Sequence, residues 1–162
     1  MKIEFELTLK NDETDVNVVS LFCNMVISNI KKEIFSNIRK SKLDIRKNEI
    51  SNAPWMVWKN SAKSKDIDMM LLAKMIANGI VWKNIKDNTY VIEVSKAIKY
   101  PNSQVAIEKM ARFLDRGTLN VPSMYFVNVI FNKYRKQLPK VWKSFLQIYF
   151  KRLNVDYSLT VK

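Results

Sequence analysis

The chain contains no histidine. That removes the commonest general base and the commonest metal ligand. Histidine-dependent nucleases, serine or cysteine triads with a histidine base, and zinc fingers are excluded with it. Cysteine occurs once, at Cys23, so no disulfide forms within the chain. Set in an apolar helical pattern, Cys23 reads as a small buried hydrophobe, and a lone thiol fits folding in a reducing compartment. Two glycines and four prolines leave little material for flexible linkers. No apolar run approaches the roughly 18–20 residues needed to span a bilayer. The opening Met1-Lys2-Ile3-Glu4-Phe5-Glu6 alternates apolar with charged residues and has no signal-peptide core. A cytosol-like location and no membrane contact are expected. Acids are sparse and scattered, 15 in all. Glu4 and Glu6 share a strand face expected to meet solvent, and Asp66 and Asp68 precede an apolar run, where acids serve a helix N-terminus. No catalytic residue, metal site or cofactor is expected, and the chain reads as non-enzymatic.

What is present is apolar material and positive charge. With 162 residues and 48% hydrophobic side chains, a single domain over 1–162 is expected to bury its own core. The formal net charge is +13 and it is uneven: residues 1–20 hold two lysines against five acids, so the rest carries +16. The segment 131–152 has seven basic residues and no acid. Such an excess suits contact with polyanions or an acidic partner surface, with Lys133, Arg135, Lys136, Lys140 and Lys143 as candidate contacts. The competing reading is a solvated face in a chain rich in lysine and asparagine throughout.

Periodicity supplies the element order. Residues 2–10 alternate Ile3, Phe5, Leu7 and Leu9 against Glu4, Glu6 and Thr8, the pattern of a half-buried strand. After a polar turn, Thr14 or Asp15 caps a helix running to about Lys40, with Val18, Leu21, Phe22, Met25, Ile30, Ile34 and Ile38 at helical spacing. Lys31, Lys32, Arg39 and Lys40 cluster toward its C-terminal half, in keeping with the helix dipole. Residues 41–65 read as a basic loop or insertion broken by Pro54. There Trp55 and Trp58 serve either as a stacking platform for single-stranded nucleic acid or as pins holding a loop to the core. Residues 66–78 read as a short helix with Met69, Leu72, Met75 and Ile76 inward, stopped by Gly79. A hairpin over 80–85 and 89–95 follows, its second strand apolar on both faces. After Tyr100-Pro101, Asn102 or Ser103 caps a helix with Ala106, Met110, Phe113 and Leu114 on one face. Pro122 and Ser123 open another, with Tyr125, Phe126, Val129 and Ile130 inside. Pro139 stops or kinks it and starts a last helix to about Arg152, with Trp142, Phe145, Leu146 and Tyr149 buried. Residues 153–162 alternate as an edge strand beside the first. The order argues an α+β fold: a long N-terminal helix and further helices packed on a small, mostly antiparallel sheet.

One segment stands out. Residues 111–122 read as the end of an amphipathic helix, a forced turn at Gly117 and a proline-marked entry at Pro122, a joint between two rigid elements. Ala111, Arg112, Phe113, Leu114, Asp115, Gly117, Thr118, Val121, Pro122 and Phe126 form a run that resembles the neck or tail-completion proteins of tailed bacteriophages, also called head–tail joining or minor capsid proteins. Asp115 stands where that family usually has glutamate, and Arg116 where an aromatic is common. The resemblance implies a structural virion protein, assembled in the host bacterial cytoplasm. It implies a homo-oligomeric ring, usually sixfold, between the head connector and the tail, with neighbouring connector and tail proteins as partners. It places Arg112, Asp115, Gly117, Thr118 and Pro122 at a structural joint or interface, where the acid and the arginine pair within a subunit or across the ring, and it lets the basic surface face packaged DNA. The alternative is a basic phage-encoded protein that binds nucleic acid or inhibits a host component, drawn from the charge and from Trp55, Trp58, Tyr134 and Tyr149 among lysines.

Overall fold

Strand β1 (Lys2–Leu9) buries Ile3, Phe5 and Leu7 and turns Lys2, Glu4 and Glu6 outward. The computed structural model describes residues 1–9, 16–46, 69–101, 103–116, 126–149 and 157–162. Within them follow helix α1 (Val16–Arg46), α2 (Met69–Asn78), β2 (Ile80–Lys86), β3 (Thr89–Val94), α3 (Ile107–Arg116), α4 (Phe126–Tyr149) and β4 (Tyr157–Val161). The sheet order is β2-β3-β1-β4, and every neighbouring pair is antiparallel. The fold is α+β, with the long N-terminal helix and its companions packed on this sheet, as the periodicity implies.

β1 lies between β3 and β4, with Ile3 opposite Ile92, and Leu7 opposite Leu159. A slip of one residue would turn Ile3, Phe5 and Leu7 to solvent, so the apolar alternation specifies the register. Asp87 and Asn88 link β2 to β3, and Asn88 takes a left-handed φ of 55°, which asparagine tolerates. Asn84 pairs with Tyr90 and Lys86 with Thr89, leaving Ile85 as the extra residue of a bulge. The outward face of the sheet carries ion pairs: Lys2 with Glu4 at 2.7 Å, Lys83 with Glu93 at 2.6 Å, and Lys162 with Glu6.

The inward face is covered by helices. α1 buries Val19, Phe22, Cys23, Val26, Ile27, Ile30 and Ile34, a 3–4 spacing that forms one stripe. At 31 residues it is about 46 Å long. Residues 41–46, expected to begin the basic loop, instead continue α1. The Phe22 ring meets Trp142 at 4.6 Å, Phe145 at 5.4 Å and Phe5 at 6.1 Å, so α1, α4 and β1 converge on one aromatic cluster. Gly79 joins α2 to β2 where a Cβ would fall 2.5 Å from the Ile107 side chain and 2.9 Å from the Met75 carbonyl oxygen. The glycine is required by this close approach.

Several local expectations are corrected. Pro139 does not end the helix: α4 continues through it to Tyr149. Proline lacks the N–H that would bond the Arg135 carbonyl, but both residues are exposed, so that carbonyl can meet water. Leu138 and Trp142, buried on either side, reward continuation of the helix. Val129 and Tyr149, expected inside, are 59% and 57% exposed. The buried stripe of α4 runs through Val127, Ile130, Phe131, Leu138, Trp142 and Phe145, and Val129 falls on its far side. Tyr149 rests on the Phe145 ring at 4.4 Å and leaves its other side to solvent. Leu21 and Phe113 are likewise exposed, the latter beneath the Lys109 ammonium. α3 begins at Ile107, not beside Ser103: the Ser103 hydroxyl accepts from the Val105 N–H at 3.1 Å, and Ile107 N–H donates to the Ile98 carbonyl at 2.9 Å. This pairing holds the chain out of helix until Ile107.

Candidate functional site

Asp115 closes the last turn of α3 and is 4% exposed. Its Oδ1 accepts from the Val127 N–H at 3.0 Å and its Oδ2 from the Asn128 N–H at 2.9 Å. Both donors lie in the first turn of α4, where backbone N–H groups have no partner within their own helix. The carboxylate therefore caps α4 from the end of α3, and its charge faces the positive end of the α4 dipole. Burial raises the Asp115 carboxyl from its ordinary 3.8 to about 6, against the downward pull of the two backbone hydrogen bonds. Its side chain is a bracket between two helices.

Arg112 is engaged elsewhere. Its Nε donates to the Glu108 carboxylate one turn back on α3, in an i,i+4 ion pair. The acid and the arginine of the joint are thus not paired with each other: Arg112 meets Glu108, and Asp115 meets backbone. Sequence reasoning overlooked Glu108, although its spacing to Arg112 was a readable signal. The bond from Asp115 to the start of α4 had no such signal, because the partners are backbone groups 12 and 13 residues away. Gly117, Thr118 and Pro122 lie outside the described residues, as do Trp55, Trp58, Asp66, Asp68 and Asn102.

The five candidate polyanion contacts divide into two sets. Lys133 Nζ donates to both carboxylate oxygens of Glu33 at 2.9 Å. Tyr134 also hydrogen-bonds Glu33, and burial raises its phenol above the ordinary value. These contacts clamp α4 to α1. Arg135 Nη2 donates to the Lys162 carbonyl, tying α4 to the residue after β4. Lys136, Lys140 and Lys143 are exposed and form no ion pair among the described residues.

Cys23 is buried in the α1 stripe, and desolvation pushes its thiol up to about 12. It stays protonated at neutral pH and is no nucleophile. Among the described residues no group of three or more Cys, Asp or Glu side chains is placed to hold a metal ion, and no helix is long and apolar enough to cross a membrane. Compared with protein-family models, curated proteins and solved structures, the chain matches none.

Proposed function

We propose that this chain is a structural virion protein of a tailed phage, acting as a ring subunit of the head–tail connector or neck that completes the tail. The observation that supports the reading is the Asp115 bracket. The segment that resembles the neck family is also where one buried carboxylate ties the end of α3 to the first turn of α4. A ring subunit must present two different patches at a constant angle, since a small error per subunit prevents closure. A joint held by two hydrogen bonds inside the protein suits that demand better than a free turn. The remaining joint residues of the proposal are Arg112, Gly117, Thr118 and Pro122, and its partners are copies of the chain and adjoining connector and tail proteins.

Light scattering and electron microscopy of the purified protein, alone and mixed with the connector proteins of the same phage, test this. Ring-sized particles, together with the chain's presence in purified virions by mass spectrometry, are the expected result. A persistent monomer missing from purified virions refutes the proposal. A second reading, a basic nucleic-acid-binding or host-inhibiting phage protein, is favoured by one specific observation: Lys136, Lys140 and Lys143 of α4 are exposed and form no ion pair among the described residues.

A further inference from the structure

We infer that the outer face of α4, built by Lys136, Lys140 and Lys143, is a contact surface for the phosphate backbone of nucleic acid. The inference starts from where the negative charge goes. Glu4, Glu6, Glu33, Glu93 and Glu108 each meet a lysine or arginine within the fold. Asp115 is consumed by the start of α4. These six acids are committed internally, so among the described residues the positive charge is expressed on the lysines and arginines that form no ion pair there. α4 contains five basic residues and no acid. Two of the five, Lys133 and Arg135, hold the structure together. The other three recur at i, i+4 and i+7, which places them on one face, opposite the buried Leu138, Trp142 and Phe145.

The spacing along the axis is about 6 Å from Lys136 to Lys140 and about 4.5 Å from Lys140 to Lys143. The row extends through exposed Asn132 and Gln147, which add neutral hydrogen-bonding groups. Between these two ends it presents no aromatic or large aliphatic side chain. A protein partner is anchored by apolar or aromatic side chains in desolvated pockets, and between Asn132 and Gln147 this row supplies none, the exposed Val129 of the same face lying one turn before it. A phosphate backbone needs only a row of cations and polar groups, and reads no sequence through them. The face therefore fits nucleic acid better than an acidic protein. The inference belongs with the second reading but does not require it, because a ring subunit and a monomer present the same face. DNA binding and virion content are measured separately, so either can fail alone.

The test is fluorescence anisotropy of a labelled duplex DNA of arbitrary sequence, titrated with the full chain at several salt concentrations. Three neutralised phosphates predict a slope of about −2.7 in log affinity against log salt, or about 40-fold weaker binding between about 50 and about 200 mM salt. The triple variant Lys136→Gln, Lys140→Gln, Lys143→Gln should abolish measurable binding at low salt. A control with the same change in charge, Lys74→Gln, Lys86→Gln, Lys96→Gln, alters exposed lysines elsewhere and should bind DNA as the unaltered chain does. Circular dichroism should show all three proteins equally folded. Equal loss in both variants would mean diffuse attraction by net charge and would overturn the assignment. So would absence of DNA binding at low salt, or binding to polyglutamate without binding to DNA.

Discussion

Replacing Asp115 by alanine removes both oxygens that cap α4. The Asn128 residue is exposed, but Val127 is fully buried, so its N–H is left without a partner away from water. A lost cap costs about 0.5–2 kcal/mol, and a buried unpaired donor about 1–3 kcal/mol. These overlap, because they describe the same bonds, and alanine also relieves the burial of a charge. A net loss of about 1–3 kcal/mol near neutral pH is expected, or several degrees in Tm for a chain of this size. The pH dependence is the sharper test. The folded carboxyl titrates at about 6 against 3.8 unfolded, so the native state binds the proton more tightly. The group's contribution is then fully present below 3.8 and is lost as the pH rises through about 6. Alanine has no such contribution, so its deficit relative to the unaltered chain should grow on acidification from about pH 7 to about pH 4. The shift corresponds to an increase of up to about 3 kcal/mol, with a limiting slope of about 1.4 kcal/mol per pH unit. Urea unfolding of both proteins, followed by circular dichroism across this range, measures the difference directly. A deficit that shrinks on acidification would show that the two N–H donors outweigh burial, and the absence of any deficit at neutral pH would refute the bracket itself.

Gly79→Ala should destabilise the fold by about 1–3 kcal/mol, because its Cβ would strike the Ile107 side chain and the Met75 carbonyl oxygen; an unchanged denaturation midpoint would show that the α2–β2 corner relaxes freely. Pro139→Ala should stabilise by about 1–2 kcal/mol, since a restored N–H can bond the Arg135 carbonyl and alanine favours helix, partly offset by a freer unfolded chain. A lower Tm for this variant would count against the account of how α4 absorbs its proline. Cys23 should resist a thiol-reactive reagent in the native protein and react once urea unfolds it, given its burial and raised thiol pKa; rapid native labelling would place it elsewhere.

The strand pattern was readable because alternation is a local property. Ile3, Phe5 and Leu7 announced β1, and Tyr90, Ile92 and Val94 announced β3. Even the apolar second face of β3 has its counterpart, since Val91 is buried there at 1% exposure. Pro139 misled because its local cost is visible in sequence, whereas burial of Leu138 and Trp142 against other elements is not. Val129 and Tyr149 misled for a related reason. A hydrophobic side chain can be apolar without lying on the stripe that meets the sheet. At the joint, Asp115 was singled out by position, but its role depends on α3 and α4 converging in space. The division of the basic residues was hidden in the same way. Nothing in the spacing of α4 distinguishes Lys133 from Lys136 until Glu33 of α1 lies beside the first and not the second.

The central place of β1 has a consequence for biosynthesis. Its partner on one side, β3, is some 85 residues downstream, and its partner on the other, β4, about 150, as the pairs Glu4–Val91 and Leu7–Leu159 show. A nascent chain therefore carries β1 with one backbone edge bare until β4 has been translated. Such an edge is a template for intermolecular strand addition, and pairings between distant segments form slowly. Shortening the chain before β4 would strip that edge permanently. Aggregation during expression would then arise from an orphaned β1, although the deletion was made about 150 residues away.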